Sequence, residues 1–308
     1  MTRSFRWLYE GIPCLILDRE KKQVFMTPPE EREAEVLEFY DRVENDDLDY
    51  FATTVDTAPF YYEVLERLQR ADREDLKWVG FQIPGPNVLG ATFKQTDGRP
   101  CFHHEDLWDI LVKAIAMKTR WLEKMIKEAL PGVEVIADHP EPTLVSFTSS
   151  EGSGSREKVI QGINQAFQGF GGLRWVHCCS NIDWTLLTEA EIDVINFDAF
   201  QFADKIALYA KEIQEFLARG GMLGWGIVPV REDLIVQENV DSLMARLDKG
   251  IDSLVQQGVD ERLLYASSWV LTTCETSLLS PQQADVAFDL NEKISGRMRL
   301  READKAGG

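Results

Sequence analysis

Leu173-Arg174-Trp175-Val176-His177-Cys178 is a short, largely apolar run that follows the amphipathic stretch Glu157–Phe170 and the pair Gly171-Gly172. Helical periodicity, then glycine, then a β-branched and aromatic run is the pattern of a helix that stops just before a strand. The same order recurs along the chain. Strand-like runs are predicted at Phe51–Val55, Trp78–Ile83, Glu134–Ala137, Leu173–Cys178, Asp193–Phe197, Met222–Val228 and Leu264–Thr272. Helical patterns lie between them at Glu105–Leu130, Glu157–Phe170, Ala203–Arg219 and Val240–Gln257, and Gly132, Gly220-Gly221 and Gly258 close helices in the same way. Strands that alternate with helices call for a parallel sheet with helical crossovers. Seven strands at this cadence predict an α/β fold, a (β/α)8 TIM barrel with its first strand missing or replaced by the N-terminal segment. An open doubly wound sheet is the alternative, although no G-x-G-x-x-G opens a helix after a strand.

The expected organisation is a single barrel domain over residues 1–308. Residues 1–50 form an N-terminal hairpin and helix, 51–299 the barrel core, and 300–308 a polar tail. Leu15–Asp18 and Gln23–Met26 flank Arg19-Glu20-Lys21-Lys22 as a hairpin, and Pro28–Arg42 follows as an acidic helix. Residues before Phe51, or a second copy of the chain in a homodimer, are expected to cover the open sheet edge, which otherwise templates aggregation. Gly152-Ser153-Gly154-Ser155 is expected as a mobile loop ahead of a helix.

Composition narrows the function. The chain is 44% hydrophobic and 28% charged, ordinary for a folded globular protein. Its net charge of −19 repels phosphate backbones and anionic membranes, so neither nucleic acid nor membrane is an expected partner. No apolar run reaches the roughly 18 residues of a membrane span, and Glu10 follows Met1–Leu8 too soon for a signal peptide. A cytoplasmic protein is expected. Five cysteines are too few and odd in number for a disulfide framework, and in such a chain they point to metal binding or catalysis.

The richest stretch for chemistry is Trp175-Val176-His177-Cys178-Cys179-Ser180-Asn181-Ile182-Asp183-Trp184. Along a strand ending at Cys178, alternation sends His177 and Cys179 to one side and Cys178 to the other. Imidazole and thiolate suit zinc, which takes four ligands. Asp198 follows the strand Asp193–Phe197, and Cys274 follows Leu264–Thr272. Both stand at C-terminal strand ends, where an α/β barrel gathers its functional groups. The competing reading makes the cysteines small buried hydrophobes and His177 a satisfied core histidine. Gln82-Ile83-Pro84-Gly85-Pro86-Asn87 and Asp138-His139-Pro140-Glu141-Pro142 are rigid turns at two further strand ends. Asn87 and Glu141 are therefore candidate catalytic or orienting residues, beside a purely structural alternative. His103-His104 is read as a solvated helix cap, and Phe60-Tyr61-Tyr62 as packing.

These motifs, Gly85-Pro86-Asn87, Pro140-Glu141-Pro142, His177-Cys178-Cys179-Ser180-Asn181, Val194-Ile195-Asn196-Phe197-Asp198 and Thr273-Cys274-Glu275, resemble those of the cobalamin-independent methionine synthase family. That family belongs to a superfamily shared with uroporphyrinogen decarboxylase and the methylcobamide:coenzyme M methyltransferases. The resemblance runs from about Phe51 to Arg299 and covers the catalytic C-terminal barrel. It implies a zinc-dependent methyltransferase with zinc on His177, Cys179, Asp198 and Cys274, Asp198 standing where methionine synthases have Glu. It also implies thiol alkylation, because the decarboxylase members lack the zinc ligands. Two departures bear on substrate. No Ile-Gly-Ser segment precedes Phe51, and Pro140 replaces the Asp that meets the homocysteine amine. The expectation is methyl transfer from a methylcorrinoid, or a corrinoid protein, to a small thiol, with homocysteine disfavoured as the acceptor. The alternative is a non-catalytic, zinc-containing barrel that serves as a binding subunit for a corrinoid protein.

Overall fold

The computed structural model describes residues 6–18, 20, 23–71, 74–147 and 153–307. The chain divides into two compact units, 1–143 with 153–174, and 144–152 with 175–308.

In the first unit, β1 (Leu15–Asp18) and β2 (Gln23–Met26) pair antiparallel as predicted; Arg19, Lys21 and Lys22 of their turn lie outside the described residues. β3 (Trp78–Gln82) comes next, and the short β4 (Lys94–Gln95) then adds parallel to β2. β5 (Glu134–Pro140) pairs parallel with β3, Trp78 opposite Glu134 and Gln82 opposite Asp138. The N-terminal segment therefore extends a small separate sheet and does not stand in for a barrel strand.

Phe51–Val55 is not a strand. Leu48–Phe51 is a 3₁₀ turn, and side chains take the backbone groups a ladder would need. The Tyr62 hydroxyl donates to the Thr53 carbonyl at 2.7 Å, and the Lys118 ammonium donates to the Phe51 carbonyl at 3.2 Å. Phe51 is buried against Phe39 with ring centroids 5.7 Å apart. The acidic segment is also divided, into a 3₁₀ turn Pro29–Arg32 and a helix Glu33–Glu44.

The long helix Glu105–Ala129 buries more apolar residues than any other element of this unit, and His104 caps its start by accepting the Leu107 N–H. Lys118 lies in the middle of that helix with none of its surface exposed. Its Nζ donates to the Trp7 carbonyl at 3.1 Å as well as to Phe51, which ties the N-terminal segment to the helix. Gly152 lies outside the described residues, whereas Ser153–Ala166 is helix.

The second unit holds most of β6 (Leu173–Cys178), with β7 (Val194–Phe197), β8 (Met222–Val228) and β9 (Ser268–Thr272). These pair parallel in chain order. The outward rings of Trp184, Phe197 and Trp225 pack in succession, Phe197 and Trp225 at 5.2 Å. Two sequence boundaries shift. Asp260 caps a helix, Glu261–Ala266, by accepting the Leu263 N–H at 2.7 Å, so the last strand begins only at Ser268. Ala203–Arg219 is two helices, Ala199–Ile206 and Ala210–Ala218, joined by a 3₁₀ turn. Gly220 and Gly258 adopt φ of +97° and +100°, the left-handed residues that stop their helices.

The fold is thus α/β with parallel strands, but not the closed eight-stranded barrel the sequence predicts. Among the described residues β3 pairs with β5 and β9 with β8, and neither pairing closes a ring. Of the seven predicted strands, the one expected at Phe51–Val55 is absent and the other six form the parallel sheet. No helix among the described residues is long and apolar enough to cross a membrane.

Candidate functional site

His177 is buried in β6, opposite Asn196 of β7. Strand alternation gives the odd-numbered residues of β6 one face and the even-numbered the other. Cys178 accordingly turns into the core, fully buried, with its thiol 3.7 Å from the Ser180 carbonyl. Cys179 is half-buried just past the strand end. Cys274 lies in the bend after β9, where the Thr272 hydroxyl donates to its carbonyl at 2.8 Å and holds the turn. The ligand atoms of His177, Cys179 and Cys274 all lie within 4.8 Å of one another. Residues predicted from two separate strand ends, those of β6 and β9, are thereby brought together.

Electrostatics divides the two thiols. Hydrogen bonds from Cys179 and from His177 draw the Cys274 thiol well below its ordinary range. Cys179 is pushed up, first by that same hydrogen bond and then by burial. The pair therefore favours one thiolate at Cys274, facing one thiol.

The donor chemistry fits zinc. A tetrahedral ion with bonds of about 2.0–2.3 Å needs ligand atoms roughly 3.3–3.8 Å apart, and one imidazole with two sulfurs is a common zinc set. The 4.8 Å limit of the cluster exceeds the upper end of that range by about 1 Å.

Asp198 stands outside the cluster. It caps the helix Ala199–Ile206, its Oδ1 accepting the Gln201 N–H at 2.9 Å and its Oδ2 the Gln201 amide at 2.5 Å. Burial raises its pKa, and the two Gln201 hydrogen bonds, then the neighbouring His177, oppose that rise. Asn181 is exposed, and Asp183 caps the next turn through Thr185, at 2.5 Å to the hydroxyl.

Glu141 and Asn87 belong to the first unit, where they bond to each other. The fully buried Glu141 carboxylate accepts the Asn87 N–H at 2.9 Å, the Asn87 side-chain amide at 3.0 Å and the Val88 N–H at 2.7 Å. The turn over Gly85 is thus clamped onto the end of β5, and a β-carbon at Gly85 would lie 2.3 Å from the Glu141 carboxylate. Burial pushes the Glu141 pKa up to about 8, against the donated hydrogen bonds. His139, also buried, lies within β5, stacks on Phe167 at 4.0 Å and shares a hydrogen bond with Thr119. Burial alone lowers its pKa to about 3, so the ring is neutral.

Two residues of the second unit escaped the sequence reading. Gly226 in β8 has the Phe197 carbonyl 2.6 Å and the Thr273 Cα 3.0 Å from where a β-carbon would sit. Only glycine lets the ends of β7 and β9 approach β8 so closely, next to Asp198 and Cys274. Glycine inside a strand is the available signal for such an approach. Asn196 is the other, and its signal is a polar residue in an otherwise apolar strand.

No family model matches the sequence, and no curated protein does. The fold is similar to a crystal structure from Listeria monocytogenes provisionally assigned as a vitamin-B12-independent methionine synthase. The similarity has a TM-score of 0.55 at 15% identity, over 94% of this chain and 78% of that one. At that identity the likeness concerns the fold.

Proposed function

We propose that this protein is a zinc-dependent methyltransferase that alkylates a small thiol with a methyl group from a methylcorrinoid, free or on a carrier protein. The observation that carries this reading is the convergence of His177, Cys179 and Cys274 within 4.8 Å at the ends of β6 and β9. Those three residues would hold the metal, which when bound would lower the pKa of a coordinating thiol so that it reacts as thiolate near neutral pH. The chain's own part is positional. β6 aims His177 and Cys179 to one side, the Thr272 contact fixes the Cys274 bend, and Gly226 lets the strand ends close in. In the transfer, the substrate sulfur forms a bond to the methyl carbon while the cobalt–carbon bond breaks with its electron pair left on cobalt. The thiol proton passes to solvent.

A second reading has one observation in its favour. The predicted first strand does not form, only its first residue Phe51 ending a 3₁₀ turn, and an open sheet suits a zinc-stabilised binding subunit for a corrinoid protein. One experiment separates the two. Zinc-loaded protein is mixed with methylcobalamin and a panel of thiols, homocysteine among them, while cobalamin absorbance and thioether product are followed. Thioether formation with a sulfur added to the zinc X-ray absorption shell supports the enzyme. Zinc that accepts no thiol, with no methylation, rejects it.

A further inference from the structure

We infer that Asn196 is a positioning residue for His177: its side-chain oxygen accepts the ring N–H left over once the other ring nitrogen holds a metal. The inference rests on the metal reading above and assigns a residue that reading does not include. Asn196 sits directly opposite His177 in the β6–β7 register. Paired residues of neighbouring parallel strands point to the same face across a spacing of about 4.8 Å. Two contacts fix which face that is. Trp175, two residues before His177, meets Trp269 edge-on at 5.5 Å across the sheet. A β-carbon on Gly224, the next register position after Asn196, would lie 3.2 Å from the Asn196 Cβ. Trp175, His177 and Asn196 therefore share one wall.

On that wall Asn196 is a misfit unless it has a task. It is 8% exposed, and its Oδ1 has no hydrogen-bond partner among the described residues. A buried, unpaired amide oxygen is destabilising, and β7 is otherwise Val194, Ile195 and Phe197. The alternative acceptor on β7's end, Asp198, has both oxygens committed to Gln201. A metal-ligating histidine ordinarily donates its second ring N–H to such an acceptor, which sets tautomer and ring orientation. Asn196 supplies one in register, buried and available.

The test measures zinc affinity by competition with a chromophoric chelator in wild type, Asn196→Leu and Asn196→Asp, with thermal unfolding as the check on folding. Asn196→Leu, nearly isosteric and without the acceptor, should bind zinc roughly 10–100-fold more weakly. Asn196→Asp keeps an acceptor and should stay close to wild type. In zinc-loaded wild-type protein labelled with nitrogen-15 histidine, His177 should show one metal-bound nitrogen and one protonated nitrogen slow to exchange with water. Wild-type affinity in Asn196→Leu, or a His177 N–H in rapid exchange, overturns the inference even where zinc binds. Wild-type protein that takes up no zinc overturns the metal reading itself, and this inference with it.

Discussion

Gly226 lies so close to Phe197 that a β-carbon on it would stand 2.6 Å from the Phe197 carbonyl. The atom in the way is backbone, so no rotamer change relieves the clash, and β7 or β8 must move. Phe197 precedes Asp198, and Thr273, on the other side of Gly226, precedes Cys274. Gly226→Ala should therefore cost roughly 1–3 kcal/mol of stability, as overpacking does, and should also weaken zinc uptake. Gly296 in the C-terminal helix Pro281–Gly307 is the control, because the nearest atom to its added β-carbon is 4.0 Å away. Gly296→Ala should be neutral or stabilising by up to about 1 kcal/mol, with zinc uptake unchanged. Urea unfolding and chelator competition on both variants measure this; equal behaviour of the two would count against a role for the close approach.

The three-residue cluster makes a ligand-by-ligand prediction. Purified protein should take up about one zinc per chain, bound through sulfur and nitrogen. Cys179→Ser and Cys274→Ser should each lose most of it. Cys178→Ser should keep it, because that side chain is buried on the opposite face with its thiol at the Ser180 carbonyl. Asp198→Asn should lose far less than the cysteine variants, since the carboxylate serves Gln201. Metal analysis after gel filtration decides it, and loss from Cys178→Ser equal to that from Cys179→Ser would show that alternation chose the wrong thiol.

What could be read in the sequence divides along a physical line. His177 and Cys179 were legible because strand alternation is a local rule, and Cys274 because strand ends collect functional groups. Asp198 occupies the predicted strand end, yet its carboxylate is turned to Gln201 by a capping preference that strand counting ignores. Glu141 announced a rigid turn through its flanking prolines, but its partners Asn87 and Val88 lie more than 50 positions earlier in the chain. The missing strand at Phe51–Val55 failed for the same reason. Its backbone groups are taken by Tyr62 and by Lys118, a residue far along the chain that no local pattern connects to it.

Glu141→Gln tests the clamp in the first unit. Glutamine offers one acceptor oxygen where the carboxylate offers two, so one N–H of the Asn87-Val88 turn faces an amide NH2. The expected cost is about 1–3 kcal/mol, the penalty of a buried donor left unsatisfied. The effect should depend on pH. The folded state raises the Glu141 pKa from its ordinary 4.5 to about 8, so it holds a proton that the unfolded chain releases. Stability then falls as pH rises through that window. The wild-type advantage over Glu141→Gln, which does not titrate, should shrink between about pH 5 and 8 in urea unfolding series. An advantage that stays flat from pH 5 to 8 would mean the three donated hydrogen bonds outweigh desolvation and the group is already ionised there.

Lys118 gives the opposite slope. Its ammonium is buried in the middle of the helix Glu105–Ala129, with the Trp7 and Phe51 carbonyls as its acceptors among the described residues. Burial lowers its pKa from the ordinary 10.5 to about 7, with Glu10 opposing weakly. Between those values the unfolded chain carries a proton that the folded state has shed, so raising the pH favours folding. Below about pH 7 both states are protonated and the contribution levels off at its minimum. Lys118→Met keeps the stem's packing and removes the titration, although it leaves the two carbonyls without their donor. The stability difference, wild type minus Lys118→Met, should therefore rise with pH from about 7 to 10, by at most about 1.4 kcal/mol per pH unit. Taking the difference cancels the cysteines and tyrosines that also titrate there, since both proteins carry them. Chemical unfolding at pH 6, 7, 8 and 9 measures it. A flat difference over that range would place the Lys118 ammonium in contact with water and dissolve its role in tying the Trp7 and Phe51 segments to the long helix.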